Sequence, residues 1–522
     1  MSATRPGPAA ENPTSLSAAR RVRELADLSG GITVDVLVVG LGVTGAGVAL
    51  DAASRGLSVA AIDSGDLAFG TSRWSSKLVH GGLRYLAGGH IALAYESAAE
   101  RNVLLRRTAP HLVSALPMVL PLTPFVPPSR ELLVRAGFAA GDLLRAAAGT
   151  PRSALPRSRR ISAVEVRRMI PAVRRNGLRG GLVQWDGQLV DDARLVVALA
   201  RTAAGYGARI LTRCAAEELH GKGATVRDTL TGEHHEIRAR TVVNATGVWA
   251  GDLDPAVKLR PSRGTHLVLR AATLGNPTGA LTIPVPGETN RFVFALPQPG
   301  GLVYAGLTDE PVDGPVSDVP QPSKTEVGFL LDVLATALDV SVTEADVVGK
   351  FAGLRPLLAG RADSTADLSR SHAVLTSAIG VTTVVGGKLT TYRKMAADAV
   401  DAAIRHAGLS AGPCRTARTP LVGAAPPEKL FTVNAPPRLI ARYGAEATAV
   451  HRLGTEDPAL REPIAPGIEV TGAELLFAVR HEGALTEDDL LDRRTRLGLV
   501  PEDRVRAEPA AKAALAAADR AE

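Results

Sequence analysis

The feature that most constrains this chain is an apolar run that stops abruptly at a glycine-rich turn. Val34-Asp35-Val36-Leu37-Val38-Val39 is almost continuously apolar and β-branched, the pattern of a parallel strand buried on both faces. It leads into Gly40-Leu41-Gly42-Val43-Thr44-Gly45, a GxGxxG match. Small and apolar residues at helical spacing then run to Arg55 and stop at Gly56. A second strand, Leu57-Ser58-Val59-Ala60-Ala61-Ile62, ends at Asp63. Strand, tight turn, helix and strand within about thirty residues form a βαβ unit. Gly40 permits the sharp turn, Gly42 lets the backbone approach a pyrophosphate, and Gly45 lets helix and strand pack closely. The first helical turn, Val43 and Thr44, offers N–H groups and a positive dipole end to phosphates. Asp63, about twenty residues on, can accept hydrogen bonds from a ribose diol. The unit predicts a bound dinucleotide.

Four later segments favour FAD over NAD. Val242-Val243-Asn244-Ala245-Thr246-Gly247 is a strand ending in small residues, so Ala245, Thr246 and Gly247 can pass close to a dinucleotide. Val384-Val385-Gly386-Gly387-Lys388 is again strand and glycine turn, with a helix expected from about Thr391. Gly387, Lys388, Leu389 and Thr390 would sit at that helix N-terminus, where the dipole favours negative charge near the N1–C2 edge of a reduced flavin. Thr71-Ser72-Arg73-Trp74-Ser75-Ser76-Lys77-Leu78-Val79-His80-Gly81-Gly82-Leu83-Arg84-Tyr85 is poor helix material but suits a loop wrapping a polar cofactor. Finally, Phe351-Ala352-Gly353-Leu354-Arg355-Pro356-Leu357 sets an arginine in an apolar frame.

A chain of 522 residues implies more than one domain. Aromatics make up only 3%, so Val, Leu and Ala must build the core. The net charge of +7 favours anionic partners such as phosphorylated metabolites or acidic lipid. Nucleic acid is not expected, because the arginine clusters at 157–160 and 167–168 carry no interleaved aromatic platform. Cys214 and Cys414 stand alone, which excludes a disulfide framework, a zinc site or an iron–sulfur cluster and predicts no metal. No apolar stretch reaches the roughly 18 residues that a membrane span requires. Residues 1–30 read as a disordered tail followed by a short basic helix near residues 17–28.

The loop at residues 75–85 combines with Val190-Asp191-Asp192-Ala193-Arg194-Leu195, Val243-Asn244-Ala245-Thr246-Gly247-Val248-Trp249 and Gly264-Thr265-His266. Gly306-Leu307-Thr308-Asp309, Gly353-Leu354-Arg355-Pro356-Leu357, Gly386-Gly387-Lys388-Leu389-Thr390-Thr391-Tyr392-Arg393-Lys394 and Asp492-Arg493-Arg494-Thr495 follow in order. With these motifs the chain resembles the FAD-dependent glycerol-3-phosphate dehydrogenases over nearly its whole length. The resemblance implies an α/β fold: a glutathione-reductase-like, Rossmann-type FAD-binding domain, an inserted mixed β-sheet substrate cap and a C-terminal α-helical domain. FAD parts are expected at about 31–120, 181–255 and 350–405, cap parts at 121–180 and 256–349, and the helical domain at 406–522. It departs from the family at Leu307, often Thr, and Arg263, commonly Lys; the C-terminal domain looks short after Thr495.

The resemblance also implies oxidation of sn-glycerol 3-phosphate to dihydroxyacetone phosphate by hydride transfer from C2 to flavin N5. Electrons would pass to a membrane quinone from a cytoplasmic enzyme held on an anionic inner membrane surface, with a homodimer as the candidate assembly. Arg84, Tyr85, His266, Thr308, Arg355, Arg370 and Lys388 are carried over as substrate-binding, with His266, Arg355 and Lys388 catalytic. Arg370 and Arg84 would clamp the phosphate, Arg355 and Lys388 would face the C2 oxygen, and His266 would be the base, with His80 its rival. The FAD contacts expected are Gly40, Gly42, Val43, Thr44, Gly45, Asp63, Thr71, Ser72, Ser76, Lys77, Leu78, His80, Gly81, Gly82, Ala245, Thr246, Gly247, Gly387, Lys388, Leu389 and Thr390. Structural roles suit Asp192 and Arg194. The alternatives are an oxygen-using glycerol-3-phosphate oxidase and a flavin amine or hydroxy-acid oxidase.

Overall fold

The apolar run at residues 34–39 lies where its composition demands, inside a parallel sheet. The structure, a computed structural model, describes residues 12–288, 291–359 and 371–519. Strand Thr33–Val39 pairs in parallel with Val59–Ile62 on one side and His234–Asn244 on the other. The sheet extends to Arg209–Leu211 at one edge and through Val381–Val385 to Ala373–Thr376 at the other. Helices Val43–Ser54, Asp192–Gly205 and Tyr392–Ala407 pack together on one face. The packing is close because the residues are small. A Cβ on Gly47 would stand 2.9 Å from the Tyr392 ring and 3.3 Å from Ala396 Cβ.

The second sheet has ten strands and is mixed. Here the expected boundaries need correction. Leu78–Val79, Val113–Pro121, Gly181–Leu189 and Val347–Arg355, given to the FAD parts wholly or in large part, all belong to this cap sheet. Val113–Pro121 pairs with Gly181–Leu189 along its whole length, and Val347–Arg355 with Ser262–Arg270. Such partners come from distant parts of the chain, so local pattern does not say which sheet a strand joins.

In the N-terminal segment the short basic helix expected near residues 17–28 is present, but it is not part of a tail. Residues 1–11 lie outside the described residues, but Ala18–Ser29 is a docked helix, capped by the Ser17 side chain accepting from the Arg20 N–H. Arg21 is buried; it donates to the Thr212 and Arg213 carbonyls and pairs with Asp228 at 2.8 Å. Leu25 and Leu28 join the apolar layer beneath the sheet. A basic helix with a buried arginine is anchored, not a tail.

After Gly408 come helices Pro437–Tyr443, Ala447–Glu456, Gly472–Glu482 and Pro501–Asp519, with a small hairpin of Pro463–Ala465 and Ile468–Thr471. Buried ion pairs bind this domain to the FAD domain. Arg493 and Arg494 both reach Asp66, at 2.6 and 2.7 Å, and Arg194 pairs with Glu482.

Candidate active site

Three turns leave the carboxyl edge of the parallel sheet side by side. Val39 is aligned with Asn244, and Asn244 with Thr383, so the first glycine turn and the late one stand two strand spacings apart, about 10 Å. At the first turn Gly40 has φ +99°, and a Cβ there would lie 2.7 Å from the Ala245 oxygen. A Cβ on Gly45 would fall 1.7 Å from the Gly40 oxygen, so helix and strand meet only because both residues are glycine. Ser72 Oγ accepts from the Val43 N–H at 2.8 Å, tying the 71–77 loop to the helix N-terminus. Asp63 accepts from the Leu41 and Gly65 N–H groups at 2.6 and 2.8 Å. Burial pushes its carboxyl up to about 6 against those two donors. Beyond the late turn, Thr390 Oγ1 is buried and has no hydrogen-bond partner among the described residues.

The substrate side has two clusters joined by the 75–85 loop. In one, Lys388 donates to Ser97 Oγ at 2.6 Å and lies 3.9 Å from the Tyr85 ring centroid. Tyr85 is on the short helix Leu83–Ala87, and His80 is tilted against it. Arg84 shares that helix, but its side chain is outside those described, and Arg370 lies outside the described residues. In the other cluster His266 is 1% exposed, its Nε2 bonded to Ser76 Oγ at 2.8 Å and its ring stacked on Phe351 at 4.7 Å. Burial, reinforced by Lys77 and Arg355, pulls its imidazole down to about 3. Arg355 is fixed by Asp309, Ser262 and the Thr308 carbonyl at 3.1–3.2 Å. Register puts Ser262, Gly264 and His266 on one face with Arg355 opposite Ser262. Gly264 leaves room for the guanidinium to lie toward His266, since a Cβ there would meet it at 2.4 Å.

Two of the expected contacts have side chains held by other protein groups. Lys77 is buried against Asp192 at 2.7 Å and the Arg73 carbonyl at 3.0 Å, with its ammonium pulled down by burial to about 8. Its side chain props the loop. The Thr308 hydroxyl donates to Glu326 at 2.7 Å and accepts from the Thr265 N–H, so it belongs to a buried network. Asp192 and Arg194 are structural in this geometry. Ser97, Ser262, Asp309 and Glu326 were not singled out from sequence. Asp309 stood next to a named residue, whereas a helical Ser97 carries no local signal.

A family model described as FAD dependent oxidoreductase matches residues 35–393, and one described as the C-terminal domain of alpha-glycerophosphate oxidase matches 414–520. Glycerol-3-phosphate dehydrogenase 1 of Mycobacterium tuberculosis is 56% identical over 505 residues, covering 95% of this chain and 98% of its own. The chain belongs to the FAD-dependent glycerol-3-phosphate dehydrogenase family. The glycerol-3-phosphate dehydrogenase of Mycobacterium leprae is 38% identical, covering 89% of this chain and 81% of its own. Among solved structures, the glycerol-3-phosphate dehydrogenase from Bacillus halodurans complexed with FAD superposes with a TM-score of 0.75. It is 26% identical and covers 96% of this chain and 94% of its own.

The cofactor is FAD, and the cradle suits it. Gly40, Gly42 and Gly45 clear the backbone for a pyrophosphate at the N-terminus of the Val43–Ser54 helix. Asp63 stands beside that glycine turn, its carboxylate accepting from the Leu41 and Gly65 N–H groups. The orphaned Thr390 hydroxyl at the late turn is a hydrogen-bonding group suited to the polar edge of a flavin ring.

Proposed function

We propose that the protein oxidises sn-glycerol 3-phosphate to dihydroxyacetone phosphate, with FAD supplying the hydride acceptor at N5 and a membrane quinone taking the electrons. The reading rests on Lys388: the turn at the cofactor edge of the sheet also delivers an ammonium to the Tyr85 helix. Lys388 and Arg355 are the cations that would offset negative charge developing on the C2 oxygen. Ser97 and the Tyr85 ring hold the first in place, and Asp309 and Ser262 the second. Arg84 and Arg370 are assigned to the phosphate, for which the planar guanidinium fork is suited.

Burial first, and then the nearby Lys77 and Arg355 charges, disfavour the protonated form of His266 before substrate binds. A bound phosphate dianion reverses that local balance, so its basicity rises once substrate enters. The C2 hydroxyl proton would pass to His266 in that complex. Anaerobic addition of sn-glycerol 3-phosphate should bleach the flavin and yield one dihydroxyacetone phosphate per flavin; unchanged absorbance refutes the assignment.

The C-terminal match bears an oxidase's description, so oxygen is the competing acceptor. Peroxide formed at the rate of turnover would select it over a quinone. Among the described residues, no helix is long and apolar enough to cross a membrane. Helix Pro128–Ala147 packs Val134 and Phe138 onto the cap and exposes Leu132, Leu133 and Leu143 at 69%, 64% and 72%. Arg135, Arg152 and Arg157 accompany that face, a combination suited to an anionic interface. Co-sedimentation with anionic vesicles should be lost in high salt; no binding even at low salt would remove the membrane from the reading.

A further inference from the structure

The C-terminal domain sends one short segment, 493–500, into the back of the active site. Arg496 is its centre. The guanidinium donates to the Arg73 carbonyl and the Asp492 carbonyl, each at 2.5 Å, and lies 5.1 Å from the Trp74 ring centroid. The same Arg73 carbonyl accepts from Lys77, so two cations hold one peptide of the flavin loop. Trp74 stacks on Phe351 at 5.7 Å, and Phe351 stacks on His266 at 4.7 Å with only 13° between the planes. Leu499 and Val500 join Phe351, Tyr304 and Val268 in one apolar cluster. Where Leu499 crosses the cap strand a Cβ on Gly349 would lie 2.0 Å from its oxygen. Arg496 itself has φ +67°, in the left-handed region that is unfavourable for a residue with a side chain. Glycine would hold that turn without the cost, so arginine stands there for its side chain.

We propose that segment 493–500 is a working part of the active site, with Arg496 a positioning residue. It holds the 71–77 flavin loop and, through Trp74 and Phe351, sets the plane of His266. The first role concerns FAD alone; the second rests on the proposed function of His266. Lysine cannot replace this arginine, because a point charge cannot reach both carbonyls while lying flat over an indole. A shift of about 1 Å in His266 or the loop is enough to cost about a hundredfold in rate, so a loosened stack lowers the rate of flavin reduction while the protein stays folded.

The test measures FAD dissociation from the holoprotein and the anaerobic rate of flavin reduction by sn-glycerol 3-phosphate in wild type, R496A, R496K, W74L and R496A/W74L. R438A is the control, since Arg438 pairs with Glu474 inside the C-terminal domain and touches neither loop nor stack. R496A should weaken FAD binding about tenfold and slow reduction about tenfold or more, with R496K recovering little of either. R496A should slow W74L much less than it slows wild type, because both act through one stack. R438A should lower the melting temperature and leave both readouts unchanged. Unchanged FAD affinity and rate in R496A, or equal losses in R438A, would overturn the proposal. If R496A does not fold, R496M, which keeps the length and removes the donors, takes its place. Wild type that binds FAD but is not reduced by the substrate would remove the substrate assignment, and the FAD arm would still decide the role of Arg496.

Discussion

Replacing Asp66 by asparagine removes the charge on which the two domains meet. Asp66 Oδ2 accepts from Arg493 Nε at 2.6 Å and Arg494 NH1 at 2.7 Å, and Oδ1 accepts from Arg494 NH2 at 2.9 Å. All three side chains are buried. In D66N, Arg493 keeps Asp489 at 2.5 Å, but Arg494 keeps only the Glu482 carbonyl. Leaving one member of a buried pair uncompensated costs about 3–5 kcal/mol. At about 2 °C per kcal/mol for a large chain, the melting temperature should fall by about 6–10 °C. The carboxyl, held near 2 by Arg494 and Arg493 despite its burial, against an ordinary 3.8, fixes the pH dependence. A depressed carboxyl contributes its stability, on the order of 2 kcal/mol, above the unfolded value and loses it as pH falls through the folded one. The gap between wild type and D66N should therefore be nearly constant above about pH 5 and narrow by about 2 kcal/mol between about 5 and 2. Thermal scans at several pH values, read by flavin fluorescence, measure it. A shift under about 2 °C at neutral pH would refute the reasoning. D66N/R494M should regain much of the loss, since an apolar side chain removes the stranded charge.

Gly45→Ala should give protein without visible flavin absorbance, because its Cβ would strike the Gly40 oxygen at 1.7 Å; normal flavin content would contradict the packing argument. Lys388→Met should keep FAD and slow flavin reduction about a hundredfold or more in stopped-flow, and a change within about threefold would remove Lys388 from the chemistry. For His266, pulled down to about 3, the charged form is disfavoured, so it stays neutral as pH falls through 6.5. The profile of kcat/KM should show no inflection near 6.5 that H266N abolishes; one that H266N abolishes would mean an ordinary, solvated histidine.

What sequence reveals here follows the range of the interaction involved. The Gly40–Gly45 turn and Asp63 were legible because their causes are local: backbone clearance, a helix N-terminus, and one acceptor at the end of the next strand. The late Gly386-Gly387-Lys388 turn was legible for the same reason, with φ of +79° and +72° at the two glycines. The ion pair that Lys77 makes was not legible in its Ser/Gly-rich loop. Its partner Asp192 lies far along the chain, and only folding brings the two to 2.7 Å. The Glu326 partner of the Thr308 hydroxyl lies on another element and carried no local signal either.

By itself, the sequence determined the dinucleotide unit, the order of its strands and helices, and the residue types available to the site. Those depend on sterics and hydrogen bonding within a few residues. Tertiary structure alone decided which strands joined the cap sheet, which cations were spent on internal carboxylates, and how far burial lowered His266. Desolvation and charge pairing sum over neighbours from the whole chain, and a linear pattern does not contain that sum.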